Sequence, residues 1–205
     1  AERPGPTHPA ATGRGVRAGR AGVVVAPDSA DGDDVSIAAD AVAFDVDTDR
    51  STSTGNVELV NGHQSAAADQ LIYEEDRELA VLTSEAGQVS IIREDDDGSL
   101  TVITADEIRV LTGAKLLYAR GNVTVLDGPI TSTGTEVFFD DNSGIAEVIG
   151  TAAVPARAVD SDSGATLVTD RIQQDVEYDF FEAIDSSVAS AYDASAFDLT
   201  GAASE

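Results

Sequence analysis

Thirty-eight carboxylates, two histidines and no cysteine bound the chemistry open to this 205-residue chain. A zinc site drawing on cysteine, or a thiolate nucleophile, needs residues that are absent. His8 stands between Thr7 and Pro9, and His63 directly follows Asn61-Gly62. A Ser-His-Asp triad would have to be built around His63, and a histidine beside a turn is ordinarily a solvated bystander. The carboxylates are too numerous for any pair to stand out as an acid/base couple. Asp45-Val46-Asp47-Thr48-Asp49 opens like a calcium loop, but Arg50 stands where glycine is required and Asn56 where a bidentate glutamate is required. Gly13-Arg14-Gly15 faintly echoes a dinucleotide motif, yet follows no strand pattern. The expectation is a protein without catalytic residues, metal or cofactor.

The elements that could carry any function are short β-strands. No segment sustains a period near 3.6, whereas alternation with period two recurs between turn residues, which predicts an all-β, antiparallel protein. In Ile37 to Phe44 the side chains of Asp40, Val42 and Phe44 share one face. Val57 and Leu59 continue alternation after Gly55-Asn56, and Asn61-Gly62 is a hairpin signal. The same reading selects Leu71 and Tyr73, Val89 and Ile91, Ile108 and Val110, Val123 and Val125, and Val137 and Phe139 as inward-facing pairs.

A ruler runs through these strands. Asp40 and Asp106 each precede a Gly-Asn pair, Gly55-Asn56 and Gly121-Asn122, by the same interval. In each case Asp is expected to open a strand and Gly-Asn to turn the chain into the next. Weaker copies begin at Asp69 (with Gly87), at Thr135 (with Gly150) and at Asp170 (with Asp185). An internal repeat of this kind predicts stacked units sharing one continuous core.

Composition limits the partners. The formal net charge is −26, and Lys115 is the only lysine. Such a surface repels phosphate backbones, so no nucleic-acid partner is expected. The acidity reads first as solvation, including in a salty milieu. No apolar run approaches a membrane span. Residues 1–22, rich in Pro, Gly and Ala and holding Arg3, Arg14, Arg17 and Arg20, read as a flexible basic leader. Residues 23–192 read as the β-repeat domain and 193–205 as a frayed tail. The chain begins without methionine, as a chain would after removal of a secretory signal peptide.

The recurring Ala-Asp strand with its aromatic (Ala39-Asp40 and Phe44, Ala68-Asp69 and Tyr73, Ala105-Asp106) and the Gly-Asn-Val segments at Gly55 and Gly121 resemble the OstA-like/LptA family over about Ile37 to Ile184. The resemblance implies an elongated antiparallel sheet folded into an open β-jelly roll, or β-taco. It also implies a non-enzymatic periplasmic role, binding lipopolysaccharide or a related envelope amphiphile and passing it between inner and outer membranes. The partners it implies are related OstA-like domains of an inner-membrane tether and an outer-membrane translocon, with head-to-tail self-association.

Exposing an acyl chain to water costs about 0.8 kcal/mol per methylene, so roughly 10 kcal/mol for twelve carbons, and a carrier needs an unbroken apolar track. Val42, Phe44, Val57, Leu59, Leu71, Tyr73, Val89, Ile91, Ile108, Val110, Val123, Val125, Val137 and Phe139 would line it. Alternation by itself describes a filled core equally well. It is the resemblance that points to a lipid lining. The acidic body departs from what a carrier of phosphorylated glycolipid would favour, unless divalent cations or salt intervene. The rival expectation is a β-repeat scaffold that self-assembles through its sheet ends without cargo.

Overall fold

The computed structural model describes residues 35–45, 48–85, 87–95, 97–185 and 187–201, and the backbone of 16–17 and 22–25. Among the described residues seventeen strands form one continuous antiparallel sheet. They are β1 (Val16–Arg17), β2 (Gly22–Val25), β3 (Val35–Ala39), β4 (Ala41–Asp45), β5 (Arg50–Asn61), β6 (Gln64–Glu74), β7 (Leu79–Thr83), β8 (Val89–Glu94) and β9 (Leu100–Ala105). There follow β10 (Glu107–Leu111), β11 (Leu116–Asp127), β12 (Ile130–Asp140), β13 (Ile145–Ile149), β14 (Ala156–Asp160), β15 (Thr166–Thr169), β16 (Arg171–Asp175) and β17 (Phe180–Ala183). The expected all-β class holds, and β1 shows that part of the presumed leader pairs with β4.

The sheet is folded lengthwise because its long strands serve two walls. One half of β5 pairs with β4 and the other with β3, and β11 is divided in the same way between β10 and β9. β6 and β12 split likewise, between β7 and β8 and between β13 and β14. Wall A therefore runs β1, β4, β5, β6, β7, β10, β11, β12, β13, β16, β17, and wall B runs β2, β3, β5, β6, β8, β9, β11, β12, β14, β15. From β4/β3 to β16/β15 this makes nine V-shaped rungs, each with one arm in either wall. The bends lie along one long edge, and hairpin turns line the opposite edge, the mouth.

The Asp/Gly-Asn ruler builds the bends. Gly55-Asn56 and Gly121-Asn122 are not turns between strands, as expected from sequence. They are bulges inside β5 and β11, where the register shifts. Both residues of each pair have positive φ, a conformation Gly and Asn tolerate best. The Asp40 and Asp106 amides donate to the Gly55 and Gly121 carbonyls at 2.8 and 2.9 Å. In return Asn56 Nδ2 and Asn122 Nδ2 donate to the two aspartates at 2.7 and 2.8 Å. The spacing thus measures one bend of a rung against the next.

The weaker copies diverge locally. Asp69 accepts from the Glu85 amide at 2.8 Å rather than meeting Gly87. Thr135 Oγ1 donates to the Ile149 carbonyl at 3.1 Å, so Thr takes over a backbone-bonding role. Asp170 accepts at its carbonyl from the Gly150 amide and leaves Asp185 out of the corner.

A β-carbon on Gly121, at φ +77°, would overlap the Asp106 carboxylate. Gly121→Ala is expected to cost about 1–2 kcal/mol from the left-handed backbone alone. The loss should shrink in the Asp106→Ala background, where the overlap is gone. Urea unfolding of the four-member cycle measures this, and strict additivity would refute the corner.

The tail corrects a second expectation. Residues 193–201 pack against wall A, and 202–205 of the expected tail lie outside the described residues. Phe197, 2 % exposed, caps an outer-face cluster of wall A with Leu79, Val81, Tyr118 and Phe138. Tyr118 stacks on Phe138 at 4.8 Å and Phe138 on Tyr192 at 5.5 Å. Arginines of wall A hold the segment's carbonyls: Arg50 to Thr200 at 2.8 Å, Arg77 to Ala196 at 2.6 Å and Arg109 to Phe197 at 3.0 Å. Aromatic burial and charge-assisted hydrogen bonds together outweigh the chain entropy that terminal residues otherwise keep.

Candidate functional site

The alternation that selected candidate residues places them between the walls. Val57, Leu59, Leu71, Tyr73, Val89, Ile91, Ile108, Val110, Val123, Val125, Val137 and Phe139 all belong to one buried cluster, with Val42 half-buried at its edge. Phe44 is a correction: it is 45 % exposed. It lies on β4, near one end of wall A, where the stack has few further arms to cover it.

Sequence reasoning passed over the alanines of this interior. Ala39, Ala66, Ala68, Ala80, Ala105 and Ala119 are inward and buried. Ala119 falls in phase with Val123, but Ala39, Ala66, Ala68 and Ala105 lie an odd number of positions from Val42, Leu71 and Ile108, across a bend where the alternation changes phase. Small residues let the two walls come close, and the interior is closed in this structure. An opening between the walls, lined by Leu59, Asn61, Gln64, Ala66, Ile91 and Val110, offers about 10 Å³, the room of a single water. A larger depression of about 480 Å³ lies outside wall B among Asn56, Glu58, Ser65, Asp69 and Gln88. Its lining mixes these polar side chains with Val57, Ala67 and Ile92, and it lies on the solvent side of wall B.

A polar clasp closes the mouth. Asp141 is buried and joins the walls. Arg93 Nε of β8 donates to Asp141 Oδ1 at 2.6 Å, and His63 Nε2 lies 3.1 Å from the same oxygen. Arg93 also lies over the Phe139 ring, 5.9 Å from its centroid. Its second nitrogen approaches Asp95 Oδ1 at 2.5 Å, an ion contact whose angle does not make a hydrogen bond. Further along, Asn61 Nδ2 donates to the Thr112 carbonyl at 3.4 Å across the mouth, while within wall B Thr101 Oγ1 donates to Asp127 Oδ1 at 3.1 Å. Burial pushes the Asp127 carboxyl up to about 6 against the Thr101 hydrogen bond, with Asp179 and Asp95 adding repulsion and Arg93 opposing it.

Chemically, the arrangement offers an apolar lining between separable walls and a hydrogen-bonded rim. Among the described residues no group of His, Asp and Glu is placed to hold a metal ion. No helix is long and apolar enough to cross a membrane.

The family model described as "LptA/(LptD N-terminal domain) LPS transport protein" matches residues 36–179. No curated protein matches the chain. Among solved structures the chain is similar to LptH from Pseudomonas aeruginosa, the LptA-homologous periplasmic component of its lipopolysaccharide transport device. The identity is 12 %, the TM-score 0.52, and the match covers 57 % of this chain and 82 % of that one. The similarity supports the β-jelly roll as the fold.

Proposed function

The chain belongs to the family of LptA and LptD N-terminal lipopolysaccharide-transport domains, and from that premise we propose that it carries lipopolysaccharide or a related amphiphile through the periplasm. It does so without chemistry of its own, as one link of a bridge between inner and outer membranes. The observation that carries this reading is the largely apolar interior running through the rungs between two walls that, among the described residues, side chains hold shut at the mouth. Acyl chains would enter by parting the walls, replacing wall-to-wall apolar contacts with wall-to-lipid ones. That exchange is close to neutral in hydrophobic free energy, which is what a conduit needs if cargo is to move on.

The ends fit association with related domains. Among the described residues β15 pairs only with β14 and β17 only with β16, leaving their outer edges free there. Val168, Tyr178 and Phe180 are exposed there, and Phe44 is exposed near the other end. Free edges and apolar ends invite sheet extension by a neighbour of the same fold.

Photo-crosslinkers at Tyr73, Val110 and Phe139 are expected to label bound lipopolysaccharide, while one at exposed Asp97 is not. Equal labelling inside and outside would refute the carrier. The closed interior also fits the rival, a cargo-free scaffold. That reading predicts no labelling at any position, together with self-association through the ends.

A further inference from the structure

Away from the polar rim, three inward side chains, Ser53, Ser132 and Gln174, carry buried polar atoms with no hydrogen-bond partner, and the last two lie towards the same end of the stack. Ser132 in β12 and Gln174 in β16 are both fully buried, and Ser132 Oγ and both amide atoms of Gln174 have no hydrogen-bond partner. On its own wall Gln174 lies beside Ala146 and Phe181, and Ser132 is flanked by Ala158 and Val125. Burying an amide without a partner is unfavourable, whereas an apolar residue of the same size would fit this setting without that cost. An orphaned donor and acceptor between walls that would part for cargo points to a ligand that brings its own polar group.

The two residues lie in opposite walls, and the crossing of the walls directs them towards each other. At the mouth, an arm of wall B meets the arm of wall A three rungs further on. Asn61 of the second rung reaches Thr112 beyond the fifth, and Arg93 of the fourth covers Phe139 of the seventh. Gly128, after the sixth, sits against Asp179, after the ninth. At the bends the offset is zero, because both arms are there one chain or adjoining residues. Ser132 is midway along its arm in the seventh rung, where half the offset applies. Its arm is therefore directed towards the eighth and ninth rungs, where Ala146 leaves space and Gln174 lies one position from the mouth end of β16.

We propose that Ser132 and Gln174 form a polar station near the far end of the interior, which binds the carbonyl, amide or hydroxyl group carried by a cargo acyl chain. The glutamine amide can donate to an acyl carbonyl and accept from an amide N–H or hydroxyl at once, and the serine adds a second donor. Such a station would hold the linkage end of a chain in register, while the alkyl remainder lies along the apolar rungs. The inference rests on the carrier reading above.

The test compares two probes of equal chain length on the full protein: an N-dodecanoyl amino sugar, with an amide carbonyl, and a dodecyl glycoside, joined by an ether. The wild type is expected to bind the amide probe about tenfold more tightly, as one to two hydrogen bonds in a dry site allow. Gln174→Leu should abolish the preference while keeping or improving affinity for the ether probe. Ser132→Ala, which leaves every other contact in place, should reduce it about threefold. Thermal unfolding confirms that both variants fold. No preference in the wild type, or a preference untouched by both substitutions, as when the pair holds only water, would overturn the station and leave the carrier standing. Failure of either probe to bind any variant would overturn the carrier reading and the station with it.

Discussion

Asp127→Asn is expected to raise the melting temperature by about 5–10 °C at pH 8 and to leave it almost unchanged at pH 4. The reason lies in where this carboxylate sits. Asp127 closes the inward row of β11 and is 2 % exposed. Burial lifts its carboxyl from 3.8 to about 6 against the Thr101 hydrogen bond and Arg93, with Asp179 and Asp95 adding repulsion. The sign is the reverse of a salt-bridged aspartate. Between 3.8 and about 6 the folded chain holds this proton more tightly than the unfolded chain does. The group's contribution is therefore most favourable at low pH, declines as pH rises through that window, and stays unfavourable above it. A shift of about two units corresponds to roughly 2–3 kcal/mol, and for a domain of this size that is several degrees. Asparagine keeps the oxygen that accepts from Thr101 and removes the charge. Other carboxylates titrate in both proteins, so the difference between the two melting curves isolates this one. Parallel curves across pH 4 to 8 would show that Asp127 is ionised at little cost.

How far the sequence led is clearest at particular residues. The Asp/Gly-Asn spacing revealed that a repeat exists, because a bend that needs positive φ and a carboxylate partner leaves few residue types to choose from. It did not reveal that each Gly-Asn bends one strand across two walls, since a bulge and a hairpin turn call for the same residues. Period-two alternation found the inward faces of β5, β6, β8, β10, β11 and β12, yet overreached at Phe44. Alternation fixes the side of a strand and says nothing about whether another strand arrives to cover it. Leu79-Ala80-Val81-Leu82 and Phe138-Phe139 carry apolar residues on both faces of wall A, and that doubling announced a second layer outside the sheet. The layer proved to be the C-terminal segment with Phe197, invisible to any local pattern because its partners lie far away in the chain. The clasp was hidden for a similar reason. Arg93 and Asp141 stand 48 positions apart and meet only because the walls cross.

Arg93→Ala is expected to cost about 3–5 kcal/mol, the usual penalty when one partner of a buried ion pair is removed. The Asp141 side chain is 4 % exposed and the Arg93 side chain 8 %. Removing the guanidinium leaves the carboxylate with His63 alone and uncovers the Phe139 ring. Arg93→Leu combined with Asp141→Leu should recover most of that loss, since two apolar side chains can seal the same gap without desolvating charges. The two proteins should then part company in function. If the walls separate at the mouth to admit an acyl chain, a clasp of hydrogen bonds and charges can open into water, which solvates the freed groups. A leucine seam gains nothing from that exposure and holds the mouth shut. The double variant is therefore expected to be as stable as the wild type in urea and to take up lipopolysaccharide at least tenfold more slowly. Arg93→Ala, once stabilised by osmolyte, should load faster than the wild type. Equal loading rates in all three proteins would mean that lipid does not enter through the mouth, and would direct attention to the free ends at β15 and β17.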